Sequence, residues 1–262
     1  SIQNLGVDCS KAIRFGDRIG SYILLSANGL SSGEVVYDRK YSSFSQLKPE
    51  NIDFDLLFQD VDWFHWSALT PALSQDMADL MEQVLKEADQ RGITISVDLN
   101  YRSKLWKYGK EPLEIMPKLA AYCDVIMGNI WAAQNMLDSP VEIGLNRQTT
   151  KEIYFNSSQI SAKHIFETFP KTKHIANTFR FMDHPKHNLF YGTYHSRNEE
   201  SISETFETEA VVDRIGSGDA FMAGLIHALR KGFSAQETIN FATGAGYQKL
   251  FVEGDFGNGK AN

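Results

Sequence analysis

The sequence predicts an α/β protein: a doubly wound, mostly parallel sheet flanked by helices, with a small β-lid. Three observations lead there. From Asp53 onward, short β-branched or aromatic runs alternate with amphipathic stretches, the pattern of repeated strand–helix units. Ahead of them, β-rich runs over 18–26 and 33–45 flank a cluster of turn formers at 27–32. The chain has 262 residues without repeats or low-complexity tracts, enough for one large domain with a small appendage. The expected boundaries are 1–15 and 46–262 for the α/β domain and 16–45 for the lid.

The elements follow in order. Residues 63–67 (Trp-Phe-His-Trp-Ser) read as a strand. The stretch 74–91 reads as a helix, because Met77, Leu80, Met81, Val84 and Leu85 recur at helical spacing. A strand over 93–98, a helix over 113–122 and a strand over 125–127 come next. A helix over 158–169 and a strand over 174–176 continue the alternation. A short strand at 210–212 leads through a glycine turn into helices over 219–231 and 235–249. Ligands on such sheets gather at the carboxyl ends of the strands, which selects among the polar residues.

Composition narrows the function. The formal net charge of −7, with no basic stripe, argues against nucleic acid as the main partner. No window approaches the about 18 consecutive apolar residues of a membrane span, so no membrane partner is expected. Residues 1–10 lack a charged start followed by an apolar run. Cys9 and Cys123 are far apart and lack metal-ligand spacing, which fits structural thiols in a reduced, cytoplasmic setting.

The most informative stretch is Asp213-Arg214-Ile215-Gly216-Ser217-Gly218-Asp219-Ala220-Phe221. Glycines at a strand-to-helix turn let backbone N–H groups gather around an anion, and the helix N-terminus adds partial positive charge. A carboxylate there would repel a phosphate that was merely held. It makes sense in Asp219 as a base taking a proton from a hydroxyl that attacks a phosphoryl group. Asp in the first turn of a helix is also ordinary N-terminal stabilisation. No Lys-Ser/Thr pair marks a P-loop, and the third glycine of a dinucleotide fingerprint is missing.

This string resembles the C-terminal signature of the ribokinase-like (PfkB) carbohydrate kinases, in the form with Arg214 that marks the 2-keto-3-deoxygluconate kinase branch. Other segments, in order, resemble the same branch: Val35 to Ser42, Trp63 to Leu73, Asp98 to Trp106, and Glu253-Gly254-Asp255-Phe256. The resemblance implies a ribokinase-like fold and ATP-dependent phosphorylation of the terminal C6 hydroxyl of 2-keto-3-deoxy-D-gluconate. It implies Asp219 as general base, with Gly216, Ser217 and Gly218 as the anion hole. It also implies ATP and Mg²⁺ as cofactors. A homo-oligomer is expected, a dimer through the lid strands. The family opens with a strand and a Gly-Gly element that residues 1–8 do not match, so further N-terminal chain is expected.

The remaining candidates stand at strand ends. Asn100 and Arg102 follow the 93–98 strand, where an arginine can grip a carboxylate or phosphate bidentately. A surface arginine paired to a nearby acid fits the residues equally well. Alternation places Tyr37 and Arg39 on one face of a lid strand. If that face covers the site, Arg39 meets a substrate carboxylate and Tyr37 a hydroxyl; an aromatic used for packing is the plainer reading. Tyr22, on the preceding strand, is a weaker candidate for the same surface.

Asn177, Thr178 and Arg180 follow the 174–176 strand and resemble the family's nucleotide-contacting step, though a capped turn also fits. Asp255 resembles the family's acceptor of substrate hydroxyl bonds; a plain Gly-Asp turn is the alternative. His65, inside an aromatic strand, is read as a core histidine. One departure stands out: the family's Asn-x-x-Glu is Asn129-Ile130-Trp131-Ala132 here, so no protein metal ligand is assigned. Two other readings stay open, a kinase of a neutral sugar such as fructose or ribose, and a catalytically silent sugar- or nucleotide-binding module.

Overall fold

In a computed structural model, the chain is described over residues 2–25 and 34–257. Four parallel strands form the spine: β3 (Trp63–Ser67), β4 (Thr94–Asp98), β5 (Val125–Met127) and β6 (His174–Phe181) lie side by side in that order. The sheet then turns antiparallel. β7 (Asn188–Ser196) pairs with β6, and β8 (Glu200–Ile202) and β9 (Phe206–Thr208) both pair with β7. The lid strands β1 (Ser21–Leu25) and β2 (Glu34–Asp38) form a separate antiparallel pair. The predicted lid turn at 27–32 lies outside the described residues.

Parallel neighbours need crossovers, and helices supply them. α1 (Phe54–Phe58) precedes β3, and α2 (Gln75–Gln90) joins β3 to β4. α3 (Pro112–Ala120), α4 (Ile130–Leu137) and α5 (Lys151–Thr168) complete this part. Ser74 starts α2 because its hydroxyl accepts the Met77 N–H at 3.2 Å. α6 (Ser217–Lys231) and α7 (Ala235–Gln248) close the chain.

Strand alternation divides the core between two faces. Ile126 and Ile175 pack with Met77, Leu85 and Ile165 of α2 and α5, whereas Val125, Met127, Ala176 and Phe190 pack with Phe221, Leu225 and Ile239 of α6 and α7. The second face requires close helices. A Cβ on Gly224 would lie 3.0 Å from Ala242 Cα, so glycine lets α6 and α7 approach.

Several expected boundaries shift. The strand at 174–176 runs on through Phe181, because β7 pairs with it over its whole length. Val211–Asp213 is no strand; its chain hangs on Leu250 O, which accepts from Val212 and Asp213 N–H at 2.9 and 3.1 Å. The strand of this region is β9, a few residues earlier. α5 begins at Lys151, capped by Thr150, well ahead of residue 158.

Candidate active site

The site is assembled at the carboxyl ends of the parallel strands. β4 ends on Asp98, which is 9% exposed, and its Oδ1 accepts the Asn100 N–H at 2.9 Å. That bond bends the chain: Asn100 has φ 34°, a left-handed conformation that asparagine accepts more readily than most residues. Burial pushes the Asp98 carboxyl up to about 6, the Asn100 N–H opposes this, the charge of Asp219 adds to it, and Arg102 opposes it. Asp98, Asp219 and Arg102 therefore share one electrostatic neighbourhood. Arg102 is exposed and donates to the Tyr101 carbonyl at 2.9 Å.

His65 joins them from β3. Trp63 Nε1 donates to Ser96 Oγ at 2.8 Å, and the same oxygen lies 2.9 Å from His65 Nδ1. The Ser96 hydroxyl, accepting from the indole, keeps a second lone pair and its own proton for the imidazole. Burial lowers the His65 pKa, against which the Ser96 contact and the charge of Asp219 act. The histidine is exposed rather than enclosed in the core, and it faces the region of Asp219.

α6 opens on Gly216, whose φ of 75° is left-handed, with no side-chain cap. A Cβ here would also come within 2.7 Å of Asp255 O, so the turn needs glycine twice over. Ser217 is buried, and its N–H is spent on Arg214 O at 3.3 Å. The backbone N–H groups of Gly216, Gly218 and Asp219 have no partner among the described residues. Of the three residues expected to form an anion hole, Gly216 and Gly218 keep N–H groups without partners among the described residues, and the Ser217 N–H does not. Gly218 faces open space, with nothing within 4 Å of a built Cβ. Asp219 is exposed in the first turn of the helix.

A second loop is tied onto this turn. The Asp213 carboxylate accepts from Ile215 N–H and Gly254 N–H, both at 3.0 Å. Burial alone would raise this carboxyl; the backbone bonds overcome it and hold it below its usual value. Asp255, exposed beside Gly216, is 3.4 Å from the Tyr22 hydroxyl of the lid. The register pairs Tyr22 with Tyr37, so both project to the same face, and the Arg39 guanidinium stacks over Tyr37 at 4.9 Å. Arg39 makes no ion pair among the described residues.

The remaining predicted residues divide. Arg180 reaches the turn from behind, donating to Ser217 Oγ at 2.6 Å. Thr178 is half-buried on the same face of β6. Asn177 is 2% exposed, donates to Gly128 O at 2.9 Å and accepts weakly from Thr193 Oγ1 at 3.4 Å. It braces the sheet and does not face the turn, because β6 continues as a paired strand and carries it inward.

Asn129 caps α4 by accepting the Ala132 N–H at 2.8 Å, and Ala132 is buried. Among the described residues, no group of three His, Cys, Asp or Glu side chains is placed to hold a metal ion. Sequence reasoning gave no role to Asp98, although the motif containing it was evident, and it missed Lys249, which nothing in the sequence separates from a surface lysine.

The arrangement gathers N–H groups without partners among the described residues, the Asp219 carboxylate and the lid residues Tyr22, Tyr37 and Arg39 toward one end of the sheet. A family model described as pfkB family carbohydrate kinase matches residues 1–255. The 2-dehydro-3-deoxygalactonokinase of Haloferax volcanii is 26% identical over 245 residues, covering 93% of this chain and 69% of that protein. The 2-dehydro-3-deoxygluconokinase of Bacillus subtilis is 25% identical over 252 residues, covering 95% and 69%. The crystal structure of 2-dehydro-3-deoxygluconokinase from Thermotoga maritima superposes with a TM-score of 0.87 at 30% identity, covering 98% of this chain and 76% of that one. No helix among the described residues is long and apolar enough to cross a membrane.

Proposed function

The chain belongs to the pfkB family of carbohydrate kinases, and we propose that it transfers the γ-phosphoryl of ATP to the C6 hydroxyl of 2-keto-3-deoxy-D-gluconate. The observation that carries this reading is the Arg39 guanidinium, stacked on Tyr37 on the Tyr22 face of the lid and without an ion pair among the described residues. A guanidinium poised over a sugar site calls for a carboxylate, which neutral sugars lack. Two relatives named as kinases of keto-deoxy sugar acids support the same substrate class.

Asp219 takes the proton of the attacking hydroxyl, and the free N–H groups of Gly216, Gly218 and Asp219 stabilise charge on the transferring phosphoryl. Arg39 and Arg102 hold the sugar-acid carboxylate and the phosphates. Tyr37 and Asp255 orient hydroxyls. Asn100, Thr178 and Arg180 lie toward the nucleotide, and Asn177 contributes by bracing the loop after β5. Mg²⁺ would come with ATP, held by phosphate oxygens and waters, and would neutralise phosphate charge. Asp219→Asn should lower kcat by roughly three orders of magnitude or more while ATP binding persists, as loss of a positioned base requires. Turnover near that of the parent chain would remove Asp219 from the role.

Exposed apolar residues on the lid support the reading of a homo-oligomer formed through it. Ile23 and Val36, cross-strand partners there, are 57% and 45% exposed, and a two-stranded sheet is marginal alone. Sedimentation of the purified protein as a monomer at micromolar concentration would end that proposal. The silent-module reading draws on Ala132, which leaves the family's glutamate position without a carboxylate; binding of sugar acid and ATP without ADP release would favour it.

A further inference from the structure

Three cations that form no ion pair among the described residues lie beneath the turn that opens α6, the charge of one of them, Lys249, being felt by the Asp213 carboxylate. Arg180 donates through Nη2 to Ser217 Oγ at 2.6 Å, and that hydroxyl donates onward to Arg214 O at 2.9 Å, so the guanidinium is tied to the turn through the serine. Its Nε is buried with no partner. Arg214 turns inward and donates through Nη2 to His187 O at 2.9 Å, and its Nε is also buried and unpartnered. Lys249 is 3% exposed, the one lysine among the described residues that is buried. Its Nζ donates to Val252 O at 2.8 Å, and its Cε stands 3.5 Å from where a Cβ on Gly216 would be. None of the three forms an ion pair among the described residues. The Asp213 carboxylate, on which the charge of Lys249 acts, already accepts two backbone N–H bonds.

Burying cations without ion pairs is costly, and the N-terminus of α6 adds more positive potential at the same place. The balance changes when a polyanion sits on the turn. We propose that Arg180 and Lys249 are positioning residues which, with Arg214, form a cationic floor under the Gly216–Asp219 turn. The floor fixes its N–H groups and makes the turn bind a polyphosphate chain even without a nucleoside. The inference rests on the kinase reading of this site. Burial, and then the charge of Arg214, lowers the Arg180 pKa only to about 10, so this guanidinium keeps its charge at neutral pH.

The test uses the purified chain, inorganic tripolyphosphate and thermal unfolding. Tripolyphosphate alone should raise Tm in a saturable way, while adenosine alone should not. Arg180→Met and Lys249→Met should weaken tripolyphosphate binding by about tenfold or more, whereas Arg180→Lys and Lys249→Arg keep most of it. In the methionine variants, KM for ATP should rise with KM for the sugar unchanged, a split that a loss of general stability would not produce. Unchanged tripolyphosphate affinity in folded methionine variants overturns the proposal. Should those variants fail to fold, stabilisation of the parent chain by adenosine but not by tripolyphosphate overturns it equally. A chain that binds tripolyphosphate through these residues yet turns over no sugar acid would refute the substrate reading alone.

Discussion

Replacing Asp98 by Asn should stabilise this protein at alkaline pH and not at acid pH. The carboxyl is buried at the end of β4, and burial first, with the charge of Asp219 adding to it, moves it from 3.8 to about 6. Between these values the native state keeps a proton that the unfolded chain has released. Stability therefore falls as pH rises through about 4 to 6, and the cost remains in full above that window. A displacement of about two units corresponds to roughly 3 kcal/mol at about 1.4 kcal/mol per unit. For a chain of this size, each kcal/mol moves Tm by roughly 2–4 °C, so the effect is on the order of 6–12 °C. Asn retains the oxygen that accepts the Asn100 N–H but carries no charge. Melting curves of both proteins from pH 3.5 to 8.5 should separate as pH rises, with Asp98→Asn the more stable at pH 8, and meet near pH 4. Adding Asp219→Asn to the parent chain should shrink the separation, because one cause of the displacement is gone. A difference independent of pH, or a variant less stable at pH 8, would refute the electrostatic account of this corner.

Other expectations address the parts separately. Gly216→Ala forces a side chain into a left-handed backbone and within 2.7 Å of Asp255 O, which should cost on the order of 1–2 kcal/mol from the backbone alone and lower kcat as the turn shifts; equal Tm and kcat would show that the turn adapts. Arg39→Met should raise KM for 2-keto-3-deoxygluconate by about tenfold or more, as loss of a charge-assisted pair implies, with KM for ATP unchanged; steady-state kinetics in both substrates decide it. Tyr22→Phe should leave ATP binding intact, since its hydroxyl meets Asp255 across the lid, and a changed ATP affinity would contradict that placement.

Much of the fold was legible because its signals are local and periodic. α2 carries seven buried apolar residues at helical spacing behind a serine cap, and β3, β4 and β5 follow the expected segments to within a residue. α5 was harder to read. Ser157, Ser158 and Ser161 are buried, Ser161 against Ser139 and Ser158 against His195, so the inward face of its first turns is polar. β7 was missed for a related reason: Asn188, Thr193 and His195 lie wholly buried within it. Burial that depends on partners distant in sequence leaves no apolar pattern to find.

The candidate site divides along the same line. Gly216, Gly218, Asp219, Asn100, Arg102, Tyr37, Arg39 and Asp255 stand in short motifs whose backbone demands or alternation are local, and the structure brings them to one end of the sheet. Asn177 was misplaced because the length of β6 is set by its pairing with β7, not by its own residues. Asp98 and Lys249 owe their character to burial, which composition does not reveal.

The central claim is phosphoryl transfer to a keto-deoxy sugar acid. The direct measurement is coupled ADP release with ATP and Mg²⁺ over a panel of 2-keto-3-deoxygluconate, its galacto epimer, gluconate, fructose and ribose. The account predicts turnover of the two keto-deoxy acids well above that of the neutral sugars. Faster turnover of fructose or ribose, or no ADP from a folded protein with any of the five, would contradict it.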